Sequence, residues 1–201
     1  TIRGAYDFDD GNLNTTDTML FDGTFNHHGG THLVFDFLWA DGRYTQTGGL
    51  LRTARASIGE VDSGRFDQQG GTHEVIGELI VGNLLNGDGE YQLKPNAILK
   101  SDALTVGGDG TGLFHQTGGT HSTVTLVVGA MRDGTGAYTF DGGDLNVTGD
   151  ADVGSNGTGV FNQNADGVSI SNHLRLGRNP GGEGTYNLSA GNLAVENLSV
   201  G

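Results

Sequence analysis

Cysteine is absent from this chain, proline occurs twice in 201 residues, and tryptophan once. Without thiols the fold has no disulfide, no thiolate metal site and no cysteine nucleophile. Two prolines beside 38 glycines exclude collagen and a proline-rich linker, both of which need proline alongside the glycine. Basic residues are scarce too: 10 Lys and Arg against 24 Asp and Glu give a formal charge of −14. Nucleic acid and anionic membrane surfaces both require a basic footprint, so neither is an expected partner. An acidic surface suits solubility and divalent cations instead. No apolar run approaches the ~18 residues of a membrane-spanning helix. No leader-like segment opens the chain, as expected of a mature or excised polypeptide. Amphipathic helical periodicity is missing as well.

What is present is a repeat. An aromatic in the pattern Gly-x-Phe/Tyr recurs at Tyr6, Phe25, Tyr44, Phe66, Tyr91, Phe114, Tyr138, Phe161 and Tyr186. The spacing is 19 residues at first and 22 to 25 afterwards, and the ring alternates strictly between Tyr and Phe. Periodic glycine rules out the disorder that so much glycine otherwise signals. Each unit has three parts. The aromatic is followed two residues later by Gln, Leu, Phe or His, as in Phe66 with Gln68. A Gly-Gly or similar turn leads into a segment such as Thr72-His73-Glu74-Val75. Leu-x-Val-Gly or a variant closes the unit at Leu79–Gly82, Leu104–Gly107, Leu126–Gly129, Leu174–Gly177 and Leu198–Gly201. All three parts alternate with period two, which means strand. Glycine supplies the positive φ of the turns. Three short strands per coil, stacked at ~4.8 Å, predict a right-handed parallel β-helix (β-solenoid) over residues 1–201, of about nine coils of roughly 23 residues and about 40 Å long.

Gly-x-Phe-x-Gln-x-Gly-Gly, Leu-x-Val-Gly and Gly-x-Tyr-x-Leu-x-Gly-Gly resemble the glycine-rich tandem β-helix repeats of bacterial secreted and surface proteins. They are similar to the passenger regions of autotransporter adhesins. The resemblance covers nearly the whole chain and implies architecture and an extracellular or cell-surface location. It implies no shared activity. The Tyr91 coil, with Lys94-Pro95-Asn96 in place of the glycine turn, and the Phe161 coil, with Ala165-Asp166-Gly167, depart from the pattern.

Three of the seven histidines, His32, His73 and His121, sit in identical Gly-Gly-Thr-His motifs seven residues after a Phe marker. The same offset from a Tyr marker gives Leu13, Leu51, Ile98, Leu145 and Leu193, so the position points to the lumen, together with Val34 and Val75 two residues on. A metal column fails on geometry: histidines in alternate coils stand about 9.6 Å apart, against Zn–N bonds of about 2 Å. A buried structural histidine bonded to the glutamine of its own coil, such as Gln68 or Gln116, is expected instead. His27, His28, His115 and His173 show no ligand spacing and read as ordinary surface or lumen residues. Asp41-Gly42, Asp88-Gly89, Asp109-Gly110 and Asp133-Gly134 offer the oxygens calcium prefers, but Asp-Gly is equally a turn signal, and the nonapeptide calcium repeat is absent.

An enzyme of the lyase or hydrolase kind needs clustered carboxylates, alone or with Arg or Lys, at neighbouring coils. The basic residues are scattered, and Gly-x-Ser-x-Gly does not occur. An ice-binding face needs threonine ranks, and Thr31, Thr72 and Thr120 make one rank on alternate coils only. Five glycosylation sequons, beginning at Asn14, Asn146, Asn156, Asn187 and Asn197, read as coincidence in a chain so rich in Asn and Thr. No catalytic, cofactor or metal residue is therefore assigned, and calcium stays open. The expectation is a non-enzymatic structural protein: a subunit or segment of a surface fibre, filament or adhesin stalk. The alternative is a carbohydrate-binding or carbohydrate-active β-helix. Trp39, the one tryptophan, is a poor sugar platform by itself. The expected partner is the chain itself, stacked end to end, with a carbohydrate or host surface as a further candidate. Joining Val200-Gly201 to Thr1-Ile2-Arg3-Gly4-Ala5-Tyr6 gives a joint resembling that from Val128-Gly129 to Gly136-Ala137-Tyr138. A stretch of a longer array is the other reading of the same ends.

Overall fold

A computed structural model describes residues 1–201 as fifteen strands and no helix, wound into a parallel β-solenoid of about nine turns. The nine marker rings are in register from one coil to the next: Tyr6, Phe25, Tyr44, Phe66, Tyr91, Phe114, Tyr138, Phe161 and Tyr186. The rings stack at centroid distances of 4.6 to 5.0 Å. That is the strand spacing of a sheet, so the column is set by backbone pairing.

Each coil has three corners. The pairing of Ser63–Val81 with Asp88–Val106 shifts register between Gln68 and Gly70 and again between Val75 and Glu78. The third corner lies at Val-Gly. Gly82 has φ +75° there, and a Cβ on it would lie 2.0 Å from the Thr111 carbonyl oxygen of a neighbouring coil. The glycine before the aromatic has the same constraint from the other side, since a Cβ on Gly112 would meet the Val81 oxygen at 2.2 Å. Leu-x-Val-Gly and Gly-x-Phe/Tyr are therefore two halves of one tight corner.

The interior is filled by ladders of like residues. Leu38, Ala56, Leu79, Leu104, Leu126, Ala151 and Leu174 form one column, and Ala40, Ile58, Val81, Val106, Val128 and Val153 the next. They belong to a single cluster of 33 buried apolar residues. The expected inward Ile98 is corrected. Lys94-Pro95-Asn96 adds one residue to that corner, so Leu99 is buried between His73 and His121 while Ile98 faces solvent.

The first two coils are short because their third corner closes almost directly. Phe21 and Thr24 are bridged by Asp22-Gly23, with Asp22 at φ 57°. Later coils carry loops at that corner, the first being Glu60–Asp62. The solenoid widens at this one step.

Candidate functional site

The most organised polar structure lies inside the lumen. Gln68 and His73 belong to the Phe66 coil, and both reach the hydroxyl of Tyr91 in the following coil. Tyr91 OH donates to Gln68 Oε1 at 2.8 Å and lies 3.0 Å from His73 Nδ1, which donates to it. The arrangement repeats at Gln116, His121 and Tyr138, with distances of 2.7 and 3.2 Å. In the Phe25 coil His27 takes the glutamine place, and Tyr44 OH bridges its Nδ1 at 3.2 Å to that of His32 at 3.1 Å. Tyr186 OH donates to Gln163 in the same way at 2.6 Å, with Val168 where the histidine would be.

These contacts correct the expected bond between glutamine and histidine of one coil: the tyrosine one coil on stands between them. They also explain the Tyr/Phe alternation. A tyrosine follows a coil with an acceptor two residues after its marker, His27, Gln68, Gln116 or Gln163, and a phenylalanine follows Phe8 with Leu13, Leu93 with Leu99, or Phe140 with Leu145. The exception is the Tyr44 coil, which carries Gln46 rather than an apolar residue at that place. The ring above is Phe66, and Gln46 Oε1 is buried without a partner. Each glutamine amide donates in turn to backbone carbonyls: Gln68 Nε2 to Ile98 at 2.9 Å and Gln116 Nε2 to Asp144 at 3.0 Å.

The histidines are neutral core groups. Burial lowers His32 to about 4 and His73 and His121 to about 3. Nδ1–H is committed to the tyrosine, so protonation would place charge at Nε2, which has no partner in His73 or His121. The tyrosine hydroxyls are held in their protonated form by complete burial, far above their ordinary range.

Of the other histidines, His27 is buried, its pKa lowered first by desolvation. His28 is exposed, with Nδ1 3.0 Å from the Thr47 hydroxyl. His115 Nε2 meets Asp141 Oδ2 at 2.6 Å. Hydrogen bonds from Asn164 and His115 hold the Asp141 carboxyl below its usual range. The Asp-Gly pairs scatter: Asp41-Gly42 and Asp88-Gly89 lie in strands, whereas Asp109-Gly110 and Asp133-Gly134 lie in loops. No three His, Asp or Glu side chains converge to hold a metal ion. Thr31, Thr72 and Thr120 alternate with Leu50 and Ile98 in one outward column, so the rank is interrupted by apolar residues.

Two lateral clusters escaped the sequence reading. Asp150 and Asp152 are held by Arg175 and Arg178: Arg175 Nη2 to Asp150 at 2.6 Å, Arg175 Nε to Asp152 at 2.5 Å, and Arg178 Nη1 to Asp152 at 2.7 Å. Burial pushes the Asp150 carboxyl up, but the bond and charge of Arg175 outweigh it and leave it lowered. The signal was the spacing of Asp152 and Arg175, which face each other in neighbouring coils. The second cluster is aromatic. Phe21, Phe37 and Trp39 lie half-buried on one lateral face, with the Phe37 and Trp39 rings 4.9 Å apart.

The chain matches no family model, no curated protein and no solved structure. No helix is long and apolar enough to cross a membrane.

Proposed function

We propose that this chain is a structural segment of an extracellular or cell-surface fibre, filament or stalk, and acts as a stiff spacer rather than an enzyme. The observation that carries the reading is the unbroken column of nine rings at 4.6 to 5.0 Å, locked by polar bridges that cross from coil to coil. Each bridge fixes one coil on the next, which resists bending and shear. Interruption at any one coil would remove support from both neighbours.

Growth by stacking belongs to the same reading. Strands Glu183–Leu188 and Leu193–Val200 pair on one side only. Their lumen-phase side chains Leu188, Leu198 and Val200 are 51, 57 and 72 % exposed. A further coil would cover them, supplied by a longer run of the same array or by a second copy, and from a second copy the contact is heterologous and propagates without closing. The joint has one mismatch. Tyr6 would stack on Tyr186, with its hydroxyl over Leu188 where no acceptor waits. Electron microscopy and light scattering of the purified protein test the reading. Rods that lengthen with concentration are expected, and Leu198→Asp should hold them at single length. Tyr6→Phe should strengthen the joint by removing the unpaired hydroxyl. Compact particles, or lengthening indifferent to both changes, would overturn it.

A further inference from the structure

The step where the solenoid widens leaves a cleft of about 320 Å³ between Phe21, Trp39, Asp41, Glu60, Val61 and Leu84. Short coils lie below it and the first loop overhangs it. Asp41 fixes that overhang, accepting hydrogen bonds from the Glu60 and Val61 backbone amides at 2.5 and 3.4 Å. Glu60 in turn accepts from Asn83 Nδ2 at 2.8 Å. The cleft thus has one aromatic wall, one aliphatic wall and two carboxylates. Neither carboxylate is paired with an arginine or lysine, although nearly every arginine on the lateral faces is paired elsewhere.

We propose that this cleft binds the guanidinium or ammonium group of an arginine or lysine side chain presented by a partner protein. Charge complementarity selects the cation: the lining holds two acids and no base, on a chain of net charge −14. The same face already shows the recognition in miniature. Arg55 places its guanidinium 5.3 Å from the centre of the Phe37 ring and bonds Asp36 at 2.9 Å. A ring beside a carboxylate is what the Trp39 cleft offers, with tryptophan the stronger cation–π partner. The aliphatic stem of the incoming side chain would lie on Val61 and Leu84, as long basic side chains do on apolar surface. The cleft is lateral, so occupancy would not interfere with stacking at the ends.

Trp39 is the only tryptophan, so its fluorescence reports this cleft alone. The titrant is a short glycine–arginine peptide, compared with the same peptide carrying citrulline and with a neutral oligosaccharide. A saturable change is expected with the arginine peptide only. Raising the salt from about 0.1 M to about 1 M, which shortens the screening length from ~10 to ~3 Å, should abolish most of it. Glu60→Gln keeps an acceptor for Asn83 and should weaken binding roughly five-fold. Glu196→Gln, in the last coil, should leave binding unchanged. The proposal is overturned if the arginine peptide gives no saturable change at millimolar concentration, or if citrulline binds equally. It is also overturned if the oligosaccharide saturates instead, or if Glu60→Gln binds as tightly as the parent.

Discussion

At the scale of single residues, one hydroxyl group decides whether a ring is tolerated in the central column. Tyr91 OH satisfies both Gln68 Oε1 and His73 Nδ1. Tyr91→Phe should therefore cost about 2–4 kcal/mol, since two buried polar atoms lose their partner at once. His73→Leu should cost no more than about 1 kcal/mol, because Gln68 keeps its bond to Tyr91 and leucine already occupies this column at Leu51 and Leu99. Chemical denaturation of the two variants ranks them, and the reverse order would refute the bridge. The same logic separates two identical exchanges. Phe114→Tyr would aim a hydroxyl at Leu93 and Leu99, without an acceptor, at about 2 kcal/mol. Phe66→Tyr would aim it at the unpartnered Gln46 Oε1 and should be neutral or stabilising. Equal melting temperatures for the pair would show that the preceding coil does not choose the ring.

At the scale of the coil, glycine earns its place by position rather than by number. Gly112→Ala would force a Cβ to 2.2 Å from the Val81 oxygen and should cost about 3 kcal/mol, because backbone of the neighbouring coil has to move. Gly142→Ala meets nothing nearer than the Thr117 oxygen at 3.4 Å and should change stability by less than about 0.5 kcal/mol. Urea denaturation of both variants checks the contrast. The three-strand coil was legible in the sequence, because period-two alternation and the Gly-x-aromatic register are local. The inward place of Leu99 was not, because a single added residue at Lys94-Pro95-Asn96 shifts the side chains from Asn96 to Ser101 by one before the next corner restores the register. Only pairing with the coils on either side shows which phase faces the lumen.

At the scale of the whole molecule, acid should loosen the solenoid. The buried histidines bind protons at about 3 to 4 in the folded chain and at about 6.5 when it is unfolded. Between these values the unfolded state holds more protons, so stability rises with pH there. The contribution is complete above pH 6.5 and falls as the pH drops toward 3. At pH 5, roughly 2 kcal/mol is lost for each of His32, His73 and His121. The melting temperature should therefore drop steeply between about pH 6.5 and about pH 4, and His121→Leu should flatten the slope. An unchanged slope in that variant would place the acid sensitivity elsewhere. All the buried histidines lie in the coils from Phe25 to Phe114, so hydrogen exchange at acid pH should rise there before it rises around Phe161.

Composition and periodicity determined the solenoid, its coil number and its column of alternating rings, because each is written in short-range patterns that the backbone must obey. They also separated His32, His73 and His121 from the remaining histidines. Tertiary structure alone decided what those patterns are for. The acceptor of each tyrosine, the partner of each histidine and the cleft at Trp39 all join residues in different coils, with the tyrosine bridges spanning 12 to 23 positions. A repeat states that such residues recur, and the winding of the chain decides which of them touch.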